Sequence, residues 1–242
     1  MTTPETLFVI KAGSTFPDMA EALGDFDAWI INGLDPDRSH PVKVVRVDSG
    51  EQLPEPRLVK GAVISGAHAM VTDGPDWSLA LEHWTKALVS SRIPVLGICY
   101  GHQTLARAMG GLVEFHPRGI EIGTTDISCL PEASRDILFR GLPETFKGHV
   151  VHSQSVTRLP ENAVLLAGNR FEPHHGFRIG PCAWGVQFHP EFSMDATLGY
   201  IRHMFDAIEE SGQDSRVLID NLEETPHASS LLRRFGEIVR SS

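Results

Sequence analysis

The chain has 242 residues, of which 41% are hydrophobic and 21% charged, and its formal net charge is −10 at pH 7. This length suffices for one large α/β domain or two small ones, and the composition is that of a soluble globular protein. Nucleic acid and anionic membranes are poor candidate partners, because both bind basic surfaces. We find neither an apolar stretch long enough to span a bilayer nor a secretion signal, so we expect a cytoplasmic protein.

The cysteines and histidines give no sign of a metal centre. The three cysteines are Cys99, Cys129 and Cys182, an odd number without a Cys-x-x-Cys pair, which favours free thiols in a reducing compartment. Twelve histidines are present, but no His-Glu-x-x-His helix or comparable local cluster occurs. We therefore expect neither a metal nor another cofactor.

Strand and helix patterns alternate along the first half of the chain. Apolar runs predict strands at residues 7–11, 42–47 and 58–65, and helical spacing predicts helices at 19–31 and 76–91. Such alternation is typical of βαβ units and predicts a three-layer α/β fold, with a largely parallel sheet and helices on both faces. Ligands of such sheets bind at the carboxyl ends of the strands.

After residue 111 short strand patterns prevail, and they predict an antiparallel extension. The strands are expected at 113–115, 119–127, 148–156, 164–167, 174–179 and 183–188, followed by helices at 195–210 and 228–240. We expect one domain over residues 1–242, with a core at about 5–210 and a helical extension at about 211–242. The last helix could cover a sheet edge or serve as a docking surface.

The segment 93–111 predicts a strand, a tight turn and a helix, with Cys99 at the turn. Gly97 and Gly101 flank this cysteine and remove side chains that would collide where the chain doubles back. The helix N-terminus favours the thiolate of Cys99, and the N–H of Tyr100 can bind the oxygen of a tetrahedral intermediate. A lone cysteine in an apolar stretch is more often inert, but the framing glycines favour a nucleophile.

A base for this nucleophile is predicted at the end of an apolar strand in segment 185–191. His189 can accept the thiol proton and later deliver it to a leaving group, and Glu191 can orient the imidazole. Taken alone, a histidine at a strand end is more often a structural residue.

The two segments together carry a family resemblance. Gly97-Ile98-Cys99-Tyr100-Gly101-His102-Gln103 and Gly185-Val186-Gln187-Phe188-His189-Pro190-Glu191 closely resemble motifs of the class I, Cys-His-Glu type glutamine amidotransferases. Within that class the chain is similar to stand-alone proteins that resemble the amidotransferase domain of GMP synthetase. The resemblance extends over about residues 5–210. It implies the flavodoxin-like fold of that family and hydrolysis of a γ-glutamyl amide, with release of ammonia and glutamate.

The resemblance also implies roles for individual residues. Cys99 would form a γ-glutamyl thioester, with His189 as acid and base and Glu191 as its partner. The oxyanion hole would comprise N–H groups of Tyr100 and of Gly66 or Ala67. The substrate-binding residues would be Gln103, His152, Ser153 and Gln154, whereas His102 is expected to be a packing or supporting residue.

The sequence departs from the family pattern in two places. The early loop reads Ser65-Gly66-Ala67-His68 where much of the family has Ser-Gly-Gly-Pro, and because alanine resists positive φ we expect a differently shaped loop. The pattern Ser-His-Gly-Asp-x-Val corresponds to residues 151–156, so the neutral Gln154 replaces an acid. This change could alter recognition of the substrate or of a partner, or the segment could be a plain surface strand.

Several functional alternatives stay open. The sequence contains no motif of an ammonia-using synthetase, so a separate synthetase subunit could dock, or the protein could act alone on glutamine. It could instead hydrolyse γ-glutamyl peptides or glutathione adducts. A non-catalytic binding or regulatory subunit is disfavoured by the intact Cys99, His189 and Glu191. The expected ligand in each catalytic case is a small molecule.

Overall fold

The computed structural model describes residues 6–34 and 41–242, so the predicted start of the core at residue 5 lies outside the described residues. The strands are β1 (Thr6–Lys11), β2 (Val42–Arg46), β3 (Val59–Ile64), β4 (Val95–Ile98), β5 (Leu112–Phe115), β6 (Glu121–Cys129), β7 (Thr145–His152), β8 (Gln154–Arg158), β9 (Val164–Gly168), β10 (Gly176–Ile179) and β11 (Ala183–Val186). The α-helices are α1 (Pro17–Leu23), α2 (Phe26–Leu34), α3 (Asp76–Ser90), α4 (Tyr100–Ala108), α5 (Met194–His203), α6 (Phe205–Glu210), α7 (Ser215–Asp220) and α8 (Pro226–Ser241). Within the described ranges, no helix is both long and apolar enough to cross a membrane.

Most strands belong to one large sheet. Its order is β2-β1-β3-β4-β11-β10-β9-β6-β7, and β5 pairs with β8 in a separate two-stranded sheet. The pairs from β2 to β11 in this order are parallel. The pairs from β11 to β7 are antiparallel, as is the pair β5–β8. The predicted α/β fold, a mostly parallel sheet with an antiparallel extension, is therefore confirmed.

The parallel strands are buried on both faces, which explains their continuous apolar runs. In β1, Leu7 and Val9 belong to one apolar cluster with residues of α2 and α8. Phe8 and Ile10 belong to a second cluster with residues of α3 and α4. Because successive strand residues point to opposite faces, both sets must be apolar. The two clusters form the two helix-covered sides of the sheet.

The C-terminal helix α8 packs on a face of the sheet. Leu231, Phe235 and Val239 are buried in the cluster that contains Leu7. A Cβ atom on Gly61 of β3 would lie 2.5 Å from a methyl carbon of Val239, so glycine is needed for this close approach. Of the two roles considered for this helix, the structure shows a covering one, over a face rather than an edge.

The single helix predicted at 19–31 is wrong, because two helices occupy this region. Gly24 ends α1 with a positive φ of 87°, a conformation that glycine adopts readily. The carboxylate of Asp25 then accepts hydrogen bonds from the N–H groups of Thr15 and Phe26, at 2.9 and 2.7 Å. It also pairs with the buried Lys11 at 2.5 Å. This local bonding starts α2 in a new direction.

Two further predicted elements are divided. The helix expected at 195–210 is α5 and α6, separated at Met204, whose backbone angles are φ −101° and ψ 16°. The strand expected at 148–156 is β7 and β8, separated at Ser153, whose carbonyl accepts a hydrogen bond from His116 N–H at 2.7 Å. This contact turns the chain from the large sheet into the small one. Helix α7 was not predicted.

Candidate active site

The two motif segments meet at the carboxyl edge of the parallel sheet. Strands β4 and β11 are direct neighbours, with Ile98 opposite Val186. Cys99 follows the end of β4, and His189 follows the end of β11. Gly66 follows the end of β3, on the other side of β4. Residues that are distant in sequence are thereby placed at one edge, where ligands of such sheets bind.

Cys99 occupies a strained turn. Its φ of 50° and ψ of −100° are rare for a residue with a side chain. A Cβ on Gly97 would lie 2.3 Å from the carbonyl oxygen of Gly101, and a Cβ on Gly101 would lie 2.4 Å from that of Ile64. The prediction that the turn requires both glycines is confirmed. Tyr100 is the first residue of α4, so its N–H has no acceptor within the helix.

His189 is hydrogen-bonded to Glu191, with 2.8 Å between Nδ1 and Oε1. Both side chains are buried. Burial alone would lower the pKa of His189, but the Glu191 carboxylate and Cys99 beside the ring raise it to about 10. The imidazole is therefore a cation at neutral pH and holds a proton that a leaving group can accept. A Cβ on Gly66 would lie 3.0 Å from His189 Cε1 and 3.7 Å from Cys99 Cβ, so these two side chains flank Gly66.

Three other histidines near the site are neutral. Burial, followed by the charge on His189, lowers the pKa of His149 to about 4 and also lowers that of His68. Burial lowers the pKa of His102 well below its usual range. The His102 ring packs 4.8 Å from that of Phe177, in agreement with the packing role predicted for it. Of these three histidines and His189, His189 is the one whose pKa is raised.

A cavity of about 320 Å³ opens beside Cys99. Its lining includes most of the site residues predicted from sequence: Cys99, His189, Tyr100, Ala67, Gln103, His152, Ser153 and Gln154. Glu191 is buried behind His189. The structure therefore brings the predicted residues together around one space of the size that small ligands occupy.

The polar wall of the cavity is held by a hydrogen-bond network. Gln103 Nε2 donates to Gln154 O and to Gln187 Oε1, both at 3.0 Å. Gln154 Nε2 donates to Thr72 Oγ1 at 2.6 Å. Within the described part of the chain, Gln154 Oε1 is buried and has no partner. A buried acceptor without a partner is unfavourable.

His152 is anchored from behind the cavity by Glu121. Its Nε2 lies 2.8 Å from Glu121 Oε2 and its Nδ1 lies 3.1 Å from Gln154 O. His175 Nε2 lies 3.2 Å from the same carboxylate oxygen, and Asn169 donates to the other oxygen at 2.7 Å. Despite burial, the bonds from His152 and His175 lower the pKa of Glu121. The carboxylate is therefore held ionised.

Glu121, His152 and His175 are also a group whose side chains could hold a metal ion, with ligating atoms within 4.8 Å of one another. Sequence inspection did not find this cluster, because separate strands and a loop contribute its members. His152 is held in this cluster by its hydrogen bonds to Glu121 and Gln154.

The loop at residues 65–68 is not strained by its alanine. Across residues 6–34 and 41–242, positive φ at non-glycine positions occurs at Arg92, Cys99 and Asn162, and not at Ala67. Ala67 thus avoids positive φ, as expected of alanine, and a loop shaped differently from that of the family stays a prediction. A Cβ on Gly13 would lie 2.9 Å from Ala67 Cβ, so the methyl group packs against a glycine.

Sequence inspection missed a wall of the cavity made of three aromatic residues and a methionine. Phe16, Phe26, Tyr200 and Met204 line it. Phe16 precedes α1, Phe26 begins α2, Tyr200 lies in α5 and Met204 follows it. No local sequence motif joins these four residues. The role of Gln187, which accepts a hydrogen bond from Gln103, was also missed. Its place within the second motif, residues 185–191, is a sequence signal that could have indicated it.

Three comparisons place the chain among known proteins. The family model for glutamine amidotransferase class I matches residues 24–207. The chain is 35% identical to GMP synthase (glutamine-hydrolysing) of Porphyromonas gingivalis over 134 residues, which are 55% of this chain and 25% of that protein. It is 29% identical to γ-glutamyl peptidase 5 of Arabidopsis thaliana over 198 residues, 78% of this chain and 76% of the relative.

The fold is shared with a solved structure. The crystal structure of a glutamine amidotransferase from Thermotoga maritima superimposes with a TM-score of 0.76 at 21% identity, over 100% of both chains. The aligned part of the chain spans only a quarter of the Porphyromonas gingivalis GMP synthase, so that comparison concerns one portion of a larger protein. The match of the family model to most of the chain establishes that this protein belongs to the class I glutamine amidotransferase family.

Proposed function

We propose that the protein hydrolyses a γ-glutamyl amide bond, with Cys99 as the nucleophile. The observation that carries this proposal is the meeting of Cys99, His189 and Glu191 at one strand edge beside a ligand-sized cavity. Such an arrangement of nucleophile, base and orienting carboxylate is suited to acyl transfer.

The reaction begins with attack of the Cys99 sulfur on the γ-carbonyl carbon. The N–H groups of Tyr100 and of Gly66 or Ala67 stabilise the oxyanion, and loss of one such donor typically costs about 3 kcal/mol. The C–N bond then breaks, and the amine leaves with the proton of His189. Water, activated by the neutral imidazole, cleaves the γ-glutamyl thioester to glutamate and regenerates the thiol.

The glutamyl portion is held by the polar wall. Gln103 and Gln154 are immobilised by their bonds to Gln187 and Thr72, which supports a binding role. His152 and Ser153 complete this wall.

Two sources of the γ-glutamyl group are supported. Glutamine is the substrate suggested by the family and by relatives named glutamine-hydrolysing, in which case ammonia would pass to a separate synthetase subunit. A γ-glutamyl peptide is the second candidate. It is supported by the match over 76% of the length of γ-glutamyl peptidase 5, against 25% of the GMP synthase.

The test is glutamate release by the purified chain from glutamine and from γ-glutamyl peptides, with ammonia measured in parallel. Turnover should disappear in Cys99→Ala and persist in the control Cys129→Ala, which removes a half-buried thiol outside the cavity lining. Labelling of Cys99 by a γ-glutamyl electrophile without turnover would indicate a competent site that requires a synthetase. The absence of both turnover and labelling would contradict the proposal.

A further inference from the structure

The position of His189 indicates where the amine portion of a substrate must lie. This step rests on the proposed function, in which Cys99 forms the acyl bond and His189 donates its proton to the departing nitrogen. The amine therefore leaves on the His189 side of Cys99, and the residues around His189 form its environment.

Aromatic rings surround His189 on this side. The Phe26 ring is stacked against that of His189, with 6.4 Å between centroids. His68 lies edge-on to Phe26 at 6.5 Å, and the Phe16 ring is 4.7 Å from His68 and 5.3 Å from Tyr200. Phe16, Phe26, His68 and Tyr200 all line the cavity, so they form a continuous wall beside the proton donor.

This wall belongs to a hydrophobic cluster rather than to a polar site. Phe26, Ile120 and Tyr200 are buried members of that cluster, and Phe16 and Met204 pack against it. All five also line the cavity. The amine portion of a substrate would thus contact an apolar surface that is continuous with the protein interior.

The polar atoms on the wall are already bonded or uncharged. Tyr200 Oη lies 2.9 Å from His68 Nε2, so the two satisfy each other. Burial lowers the pKa of His68 and raises that of Tyr200, which keeps both neutral at pH 7. Among the described residues that line the cavity, none is Asp, Glu, Lys or Arg.

We propose that the part of the cavity beside His189, lined by Phe16, Phe26, Tyr200 and Met204, binds an uncharged apolar or aromatic amine. The preferred substrates are then γ-glutamyl amides of such amines, ahead of glutamine and of γ-glutamyl amino acids with a free carboxylate. An apolar group that is buried on this wall leaves water, which favours its binding. A carboxylate in the same place loses hydration, and the cation beside it, His189, is already paired with the Glu191 carboxylate.

A matched set of substrates tests the proposal on the purified wild-type chain. γ-Glutamyl-phenethylamide and γ-glutamyl-phenylalanine carry the same ring and differ by one carboxylate, and glutamine lacks the ring. We expect kcat/KM for glutamate release to be about tenfold or more higher for the phenethylamide than for either of the others.

A charge placed on the wall gives a second test. Met204→Lys puts a cation into the subsite and should shift the ratio of kcat/KM towards γ-glutamyl-phenylalanine. The control Phe205→Lys adds the same charge one residue away, at a half-exposed side chain outside the cavity lining, and should leave the ratio as in the wild type.

The outcomes separate this inference from the proposed function. Equal turnover of all three substrates by the wild type, or a substrate ratio unaffected by Met204→Lys in a folded variant, would overturn the apolar subsite and leave γ-glutamyl hydrolysis standing. Absence of Cys99-dependent turnover of every substrate would overturn the subsite assignment. It would refute the hydrolase itself only if the γ-glutamyl electrophile also failed to label Cys99.

Discussion

The backbone N–H of Cys99 donates a 2.8 Å hydrogen bond to the carbonyl oxygen of Val186. This bond continues the parallel pairing of β4 and β11 by one residue beyond β4. It ties the turn that carries Cys99 to the segment that leads to His189. The two segments therefore cannot move apart without breaking sheet hydrogen bonds, which is how a rigid scaffold holds reacting groups at a fixed distance.

Replacement of Glu191 by glutamine should lower kcat by about 10²- to 10⁴-fold with a smaller effect on KM, because the orienting carboxylate stabilises the charged imidazole. Glu191 and Cys99 together raise the pKa of His189 to about 10, so loss of the Glu191 charge should lower this pKa and the variant should lose activity at a lower pH than the wild type. The pH profile of kcat measures this shift. Glu210→Gln, an exposed position, is the control, and an unchanged profile in Glu191→Gln would count against the assigned role.

The same pair should make the stability of the protein depend on alkaline pH. The pKa of His189 is raised from 6.5 to about 10 on folding, so its contribution is complete below about pH 6.5 and is lost as pH rises through about 10. The free energy of unfolding in urea should therefore fall towards pH 10 more steeply in the wild type than in Glu191→Gln. Parallel curves for the two proteins would contradict this linkage.

Gly101→Ala should destabilise the protein although the residue lies in helix α4. Helix propensity alone favours alanine by about 1 kcal/mol. The new Cβ would, however, lie 2.4 Å from the backbone carbonyl oxygen of Ile64, which cannot rotate away. We expect a net loss of about 1–3 kcal/mol in urea denaturation, together with reduced activity because Cys99 is displaced. A gain in stability would show that the turn tolerates a side chain.

Asp136→Ala should be strongly destabilising. Asp136 is buried, accepts hydrogen bonds from Trp184 Nε1 at 3.0 and 3.1 Å, and pairs with Arg178 Nε at 2.7 Å. Its removal leaves buried donors without an acceptor and should cost about 3–5 kcal/mol of unfolding free energy.

The matched control for this prediction is Asp126→Ala. Asp126 forms a more exposed ion pair with Lys147 at 3.2 Å, and its loss should cost less than about 1 kcal/mol. Similar urea midpoints for the two variants would contradict the importance of the buried Asp136 contacts.

Much of the fold and part of the site followed from local sequence patterns. The alternation of strands and helices predicted the parallel sheet, because both faces of β1 must be apolar when helices cover both. Gly97 and Gly101 predicted the sharp turn at Cys99, since their missing side chains are a local requirement of that backbone path. The ends of elements were less predictable, because Asp25 and Ser153 interrupt them through contacts with Lys11 and His116.

The sequence by itself determined that Cys99 lies on a turn flanked by glycines and that a His-Pro-Glu segment follows another strand. Both patterns are local, because adjacent residues in the sequence form each of them. Only the tertiary structure decided that β4 and β11 are neighbours, that Glu121 anchors His152, and that Phe16, Phe26 and Tyr200 form a wall beside His189. Strand order and side-chain packing depend on contacts between residues far apart in the chain, and the periodicity within one element does not indicate those contacts.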